Sequence, residues 1–286
     1  VVTKRGDNGI TDTLCGRLPK TSALISAIGE LDTLNAQIGA VYESHRQQRD
    51  KIEQRRQYHR YIDYVYMGVN LLSMIGFMLC ITRREAILVA CVIIATAGIR
   101  TLLMGLLTAA SSHAPPRTDT GVINAYEIDE INDTIIEELN NIMKWNFNAG
   151  AIFASSLRDR GDGVKGVDGG VDGVCGDNGG SNSDGDYDSP VFNTHTTALE
   201  QRISDMEAQL PPLRNFILPC GSAIAAQLHI ARAHTRGVEI ASRRVSEDPT
   251  YYVPKSLLIY FNRLSDYFFV LARYHVYMHG YDEVIV

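Results

Sequence analysis

Residues 21–44, TSALISAIGELDTLNAQIGAVYES, place Leu24, Ile28, Leu31, Leu34 and Ile38 three or four positions apart, the spacing of one helix face. An amphipathic helix is predicted there. The next stretch, 45–60, is charged and contains RQQRDKIEQRRQ, which reads as a solvated helix or a linker. The character then reverses. YVYMGVNLLSMIGFMLCIT (64–82) and AILVACVIIATAGI (86–99) are nearly continuous apolar runs, separated by Arg83, Arg84 and Glu85. A bilayer-spanning helix takes roughly 20 residues, so a membrane hairpin is one reading of 46–97. A pair of helices buried in a bundle core is the other, favoured by Asn70, Arg100 and the glycines.

A further helical pattern fills 124–157, with Ile128, Ile131, Ile135, Leu139 and Ile142 on one face. The run 158–190 that follows is rich in Gly and Asp, with neither an EF-hand loop nor a nonapeptide repeat, and reads as a disordered insertion. Order returns with ALEQRISDMEAQLPPL, a helix stopped by Pro211 and Pro212. Residues 222–246 and 253–275 are each long enough for a substantial helix. Strand alternation is nowhere convincing, so the fold class is all-α.

Composition narrows the function classes. A length of 286 residues allows one large domain or two ordinary ones, and a net charge of −6 argues against broad electrostatic binding to nucleic acid. Cys15, Cys80, Cys91, Cys175 and Cys220 form no CxxC pair, which suggests a reducing compartment without structural zinc. The chain begins at Val1 rather than methionine, so an upstream segment is expected, and any targeting peptide would lie there.

Candidate chemistry gathers in three places. TKRGDNGIT (3–11) has the make-up of a surface turn and equally of a phosphate cradle, with glycines for close approach, hydroxyl donors and two cations. In SAIAAQLHIARAHTRGVEIASRRV, the residues His229, Arg232, Arg236, Glu239 and Arg243 form one stripe, either a solvated face or guanidiniums for a polyphosphate. Asp32 lies on an apolar-patterned helix, where a buried carboxylate would need an arginine partner. In YFNRLSDYFFVLARY, Asn262, Arg263 and Asp266 stand among aromatics, and Asn262 has the donor and acceptor to read a ligand.

TKRGDNGIT, GRLPK (16–20), AIGELDTLNAQIG (27–39), LPPLRNFILPCG (210–221), LHIARAHTRGVE (228–239) and FNRLSDYFFVLARY (261–274) follow one another in a known order. In these motifs the chain resembles the PduO-type ATP:cob(I)alamin adenosyltransferases, a family that includes a human mitochondrial enzyme. LLMGLLTAASSHAP (102–115) is a weaker match. About half the chain is covered.

The resemblance implies a five-helix bundle assembling as a homotrimer, with active sites between subunits. The implied reaction moves the 5′-deoxyadenosyl group of ATP to cobalt(I) of a corrinoid and releases triphosphate, giving adenosylcobalamin. Thr3, Lys4, Arg5, Gly6, Asp7, Gly9, Thr11 and Lys20 would hold the triphosphate. Arg236, Glu239 and Asn262 would contact the nucleotide, with Glu239 near magnesium carried by ATP. Asp32 and Arg232 would form a salt-bridged pair on the corrinoid side, and Phe216 would displace the lower axial ligand of cobalt.

Departures from the pattern are also present. Gly237 stands where the family usually has a second arginine, and Ile240-Ala241 where it has two more, with RRV at 243–245 about one turn late. Thr33 replaces a glutamate and Cys220 a glycine. Residues 46–97 and 116–192 read as insertions, the second largely Gly/Asp-rich. These departures leave two alternatives to the enzyme: an impaired escort that binds ATP or cobalamin, and a membrane-tethered adaptor. A reductase and an adenosylcobalamin-dependent client are implied partners. Low-complexity insertions lean toward a eukaryotic source, hence the mitochondrial matrix rather than a bacterial cytoplasm.

Overall fold

The apolar spacing at 21–44 does open a helix, α1 (Ala23–Leu79), but that helix does not stop at Ser44. Between Gly39 and Gly68 the sequence holds no glycine or proline, and Arg, Gln, Lys and Glu dominate its charged part, all good helix formers. The charged stretch is therefore helix rather than linker. The computed structural model describes residues 6–13, 16–79, 91–92, 94–99, 101–102, 117–118, 121–122, 125–156 and 189–286. Most of the Gly/Asp-rich run, much of the second apolar run and nearly all of 102–115 lie outside the described residues.

The described elements before α1 are two short antiparallel strands, β1 (Ile10–Thr13) and β2 (Gly16–Pro19), paired Ile10 to Pro19 and Thr13 to Gly16. After α1 come a second small hairpin, β3 (Arg117–Thr118) and β4 (Gly121–Val122), then α2 (Ala125–Ala154) and α3 (Pro190–Glu207). The last two helices are α4 (Ala223–Glu247) and α5 (Lys255–Met278). The fold is a helical bundle, and among the described residues it departs from all-α in the two short hairpins and an isolated bridge between Ile217 and Ile285.

Contacts divide the chain into two units, Val1–Ser44 with Thr134–Val286, and His45–Asp133. In the first, α1 buries Leu24, Ala27, Leu31, Leu34, Ile38 and Val41, alternately three and four residues apart. That is the seam of a packed bundle helix. Ile28 is half-buried and Ala27 takes the core place instead. On α2, Ile135, Leu139, Ile142, Ala149 and Phe153 follow the same spacing, while Ile128 and Ile131 are half-buried. Helix α5 is buried nearly all round, with Tyr260, Phe261, Leu264, Tyr267, Phe268 and Leu271 in the core. Its polar tips find partners. The Tyr260 hydroxyl donates to Asn146 Oδ1 at 2.9 Å, and Tyr267 to Glu138 Oε2 at 2.8 Å, tying α5 to α2. Burial holds both phenols well above the ordinary tyrosine range.

In the second unit, ion pairs from Arg49 to Asp133 at 3.1 Å and from Arg56 to Asp129 tie α1 to α2. Tyr58, Tyr61, Tyr64, Met67, Leu71 and Leu72 of α1 are exposed. Among the described residues, no helix is long and apolar enough to cross a membrane.

Candidate active site

The N-terminal cradle is built on the β1–β2 hairpin. The Gly9 N–H donates to the Gly6 carbonyl at 3.2 Å, and the Lys20 N–H donates to the Gly9 carbonyl at 2.8 Å, so the chain folds back on itself. Gly9 has φ of +74°, a conformation a side chain would strain. A Cβ on Gly6 would stand 3.0 Å from Lys20 Nζ, so the missing side chain leaves room for the ammonium. Gly6, Asp7, Gly9, Thr11 and Lys20 thus lie on the hairpin and the turn before it, with Asp7 and Lys20 exposed. Thr3, Lys4 and Arg5 lie outside the described residues.

The hairpin leads directly into α1, whose first turn is capped by Ser22 Oγ accepting from Ile25 N at 3.4 Å. One face of α1 meets α4. Glu30 lies against Gly237, where a Cβ would stand 3.3 Å from Glu30 Oε2. Farther along, Ser44 Oγ donates to Gln227 Oε1 at 2.9 Å.

Helix α4 carries the cationic part of the site. Its N-cap is Ser222, whose hydroxyl accepts from Ala225 N at 3.0 Å. Leu228, Ala231, Thr235, Val238, Ser242 and Val245 are buried, which turns Arg232 and Arg236 outward. Both line a groove of about 540 Å³ between α3, α4 and α5, together with Glu200, Glu207, Arg263 and Asp266. Arg232 lies over the Phe269 ring at 5.5 Å, a cation–π contact that fixes its direction. Arg263 is already neutralised by Glu200 at 3.0 Å and Asp266 at 2.8 Å. Among the described residues, neither Arg232 nor Arg236 has a carboxylate partner. The groove therefore presents two unneutralised guanidiniums, an arrangement suited to an anion.

The predicted stripe holds in part. His229 is buried rather than on the polar face, with Nδ1 lacking a hydrogen-bond partner. Burial, and then the Arg232 cation, push its imidazole below the ordinary histidine range. Glu239 is brought together with Asn262, whose Nδ2 donates to Glu239 Oε1 at 3.3 Å, and with Arg243 at 3.3 Å. Among the described residues, no three His, Cys, Asp or Glu side chains converge to hold a metal ion.

One expectation needs correction. Asp32 is exposed on α1, because Leu31 and Leu34 take the core positions beside it, and within the chain it makes no ion pair with Arg232. Phe216, which the resemblance sets against the corrinoid, lies outside the core. It is 88% exposed, on the segment between α3 and α4. Sequence reasoning missed the acidic wall of the groove, Glu200 and Glu207, since a helix face of carboxylates reads as solvated surface.

The family model for cobalamin adenosyltransferases matches residues 1–82 and 120–275. The chain belongs to that family. Its match to a corrinoid adenosyltransferase of Bacillus subtilis is 48% identical over 75 residues, 26% of this chain and 38% of that protein. With the human corrinoid adenosyltransferase MMAB it is 42% identical over 87 residues, 30% of this chain and 34% of that protein. The chain thus spans little more than a third of the length of these curated relatives. A variant PduO-type ATP:corrinoid adenosyltransferase from Lactobacillus reuteri, solved with cobalamin and ATP, superposes with a TM-score of 0.55 at 20% identity. That superposition covers 100% of this chain and 96% of that one, and it establishes the shared fold of this family member.

Proposed function

We propose that the protein is an ATP:corrinoid adenosyltransferase. The observation that carries this reading is that Arg232 and Arg236 face the groove without carboxylate partners in the chain, which leaves Arg236 for the triphosphate and Arg232 for an acid of a second subunit. Family membership and the Gly6–Lys20 cradle support it. In the proposed reaction, cobalt(I) of the corrinoid attacks C5′ of ATP. A cobalt–carbon bond forms, the C5′–oxygen bond breaks, and triphosphate leaves with the bonding electron pair. The metal is itself the nucleophile, so the protein's work is positioning and charge stabilisation.

Each residue then has a role. Gly6, Asp7, Gly9, Thr11 and Lys20, with Thr3, Lys4 and Arg5 before them, wrap the triphosphate, and Arg236 holds it from α4. Asn262 and Glu239 contact the nucleotide, and a single carboxylate such as Glu239 fits a magnesium ion that arrives with the phosphates. Asp32 pairs with Arg232 across a subunit boundary in a homotrimer, which accounts for an exposed acid and a cation with no partner in one chain. Phe216 meets the lower face of the corrinoid. The stretch 83–119, which the family model leaves unmatched, is an addition to this bundle, whereas α2 (Ala125–Ala154), inside the expected insertion 116–192, belongs to its core. A reductase supplies the electron, a client enzyme accepts the product, and the setting is the mitochondrial matrix in a eukaryote.

The packing of Glu30 against Gly237 favours a second reading, an escort with impaired turnover. A carboxylate against Gly237, the chain neighbour of Arg236, opposes a polyanion, and glycine offers no cation to offset it. One assay separates the two. In ATP-dependent formation of adenosylcobalamin, Arg236→Ala loses about 10- to 100-fold in kcat/KM for ATP, the worth of a charged hydrogen bond. Glu30→Gln gains activity if the carboxylate is the impediment. Cobalamin binding without turnover in both the parent and Glu30→Gln would leave the escort.

A further inference from the structure

Arg273 is a guanidinium in the most buried helix of the bundle, 5% exposed among Leu271, Ala272, Tyr274 and His275. A buried cation needs partners, and it has two, each from a different segment. Nε donates to Glu283 Oε1 at 2.7 Å, in the stretch that follows α5. Nη2 donates to the Pro211 carbonyl at 3.0 Å, in the stretch that connects α3 to α4. One rigid fork therefore holds two otherwise irregular pieces of chain against the same helix.

Those two pieces also pair with each other. The Leu218 N–H donates to the Val284 carbonyl at 2.8 Å, and the Val286 N–H donates to the Phe216 carbonyl at 3.0 Å. Between them Ile217 and Ile285 form an antiparallel bridge. Gly221 closes the far end with φ of +108°, its hydrogen facing Val276 of α5, where a Cβ would stand only 3.0 Å from a methyl group. The backbone of Phe216 is thus fixed on both sides, while its ring stands in solvent. Such geometry costs conformational entropy and buries nothing of the ring. It suits an aromatic meant to meet a ligand in one direction.

We propose that Arg273 and Glu283 are positioning residues for Phe216. By clamping 281–286 onto the 210–218 segment, they hold the ring where it meets the lower face of the corrinoid. The proposal rests on the adenosyltransferase reading, since Phe216 has a ligand to meet only there. It adds two residues, neither of which touches substrate.

The test uses the whole chain with MgATP and cob(II)alamin. Displacement of the lower axial ligand gives a four-coordinate cobalt(II) signature in the electron paramagnetic resonance spectrum. Hydrogen exchange at Leu218 and Val286 reports the clamp itself. Glu283→Ala and Arg273→Lys are expected to lose amide protection and most of the four-coordinate signal. Their kcat/KM for corrinoid should drop about tenfold or more, the loss of one charge-assisted hydrogen bond, with KM for ATP unchanged. Arg273→Lys tests the fork, and Glu283→Ala, at a half-buried surface position, guards against a variant that fails to fold. A folded Glu283→Ala protein that exchanges faster at Leu218 yet keeps the full four-coordinate signal would overturn the proposal. Should the parent chain bind MgATP but give no four-coordinate species, the functional reading fails and the positioning role falls with it.

Discussion

At the scale of single residues, the site depends on which charges are left over. Arg263 lines the groove as Arg232 does, yet two carboxylates neutralise it, so among the described cations there Arg232 and Arg236 are the ones without a carboxylate partner. His229 lies behind Arg232 and tilts against Phe269 at a ring distance of 6.2 Å. Its imidazole is held below the usual histidine range by burial first and Arg232 second, with Glu283 opposing weakly. The consequence for stability has a definite sign. The unfolded chain takes up a proton at this residue before the folded one does, so stability falls as pH drops below about 6.5, by no more than about 1.4 kcal/mol per pH unit. His195 and His279, also shifted down by burial, add in the same direction. Thermal unfolding from pH 7.5 to 5.5 should show the decline, and His229→Gln should make it shallower, with His195 and His279 supplying the rest. A parent protein equally stable at both pH values would contradict the assignment.

At the scale of elements, much of the fold could be read from sequence because apolar spacing reports burial directly. Leu24, Leu31, Leu34 and Ile38 are buried as their spacing requires, and the last two helices start and stop within a few residues of their signals, whereas α3 begins at Pro190, eight residues before the ALEQRISDMEAQLPPL stretch. Two things escaped. The β1–β2 hairpin is half-exposed on both faces, so its strands carry no apolar alternation. Helix α1 crosses a change of composition without a break, because charged residues and apolar residues alike favour helix there. The capping signals can be tested singly. Ser222→Ala removes the acceptor for the Ala225 N–H at the start of the helix that carries Arg232 and Arg236. It should cost about 1 kcal/mol, and lower Tm by about 2–4 °C. An unchanged Tm would mean that the first turn is held by packing instead.

At the scale of the whole molecule, a cradle on a hairpin, two free guanidiniums on α4 and a clamped aromatic are separate features of one bundle. The family was legible because several short motifs occur in fixed order. Their geometry was not. Asp32 carries the pattern of a buried acid and is exposed, and Arg273 reads as part of an aromatic run although it clamps residues 62 and 10 positions away. Long-range pairs of that kind leave no periodicity in sequence. The central claim is that these features serve one transfer reaction, and the most direct measurement is anaerobic turnover by the whole chain. Protein, MgATP and chemically reduced cobalamin are mixed, adenosylcobalamin is followed by its visible spectrum, and triphosphate is assayed alongside. The account predicts equal amounts of adenosylcobalamin and triphosphate, formed only with ATP present and lost in Asp7→Ala. A folded protein that binds both substrates and forms neither product would contradict it.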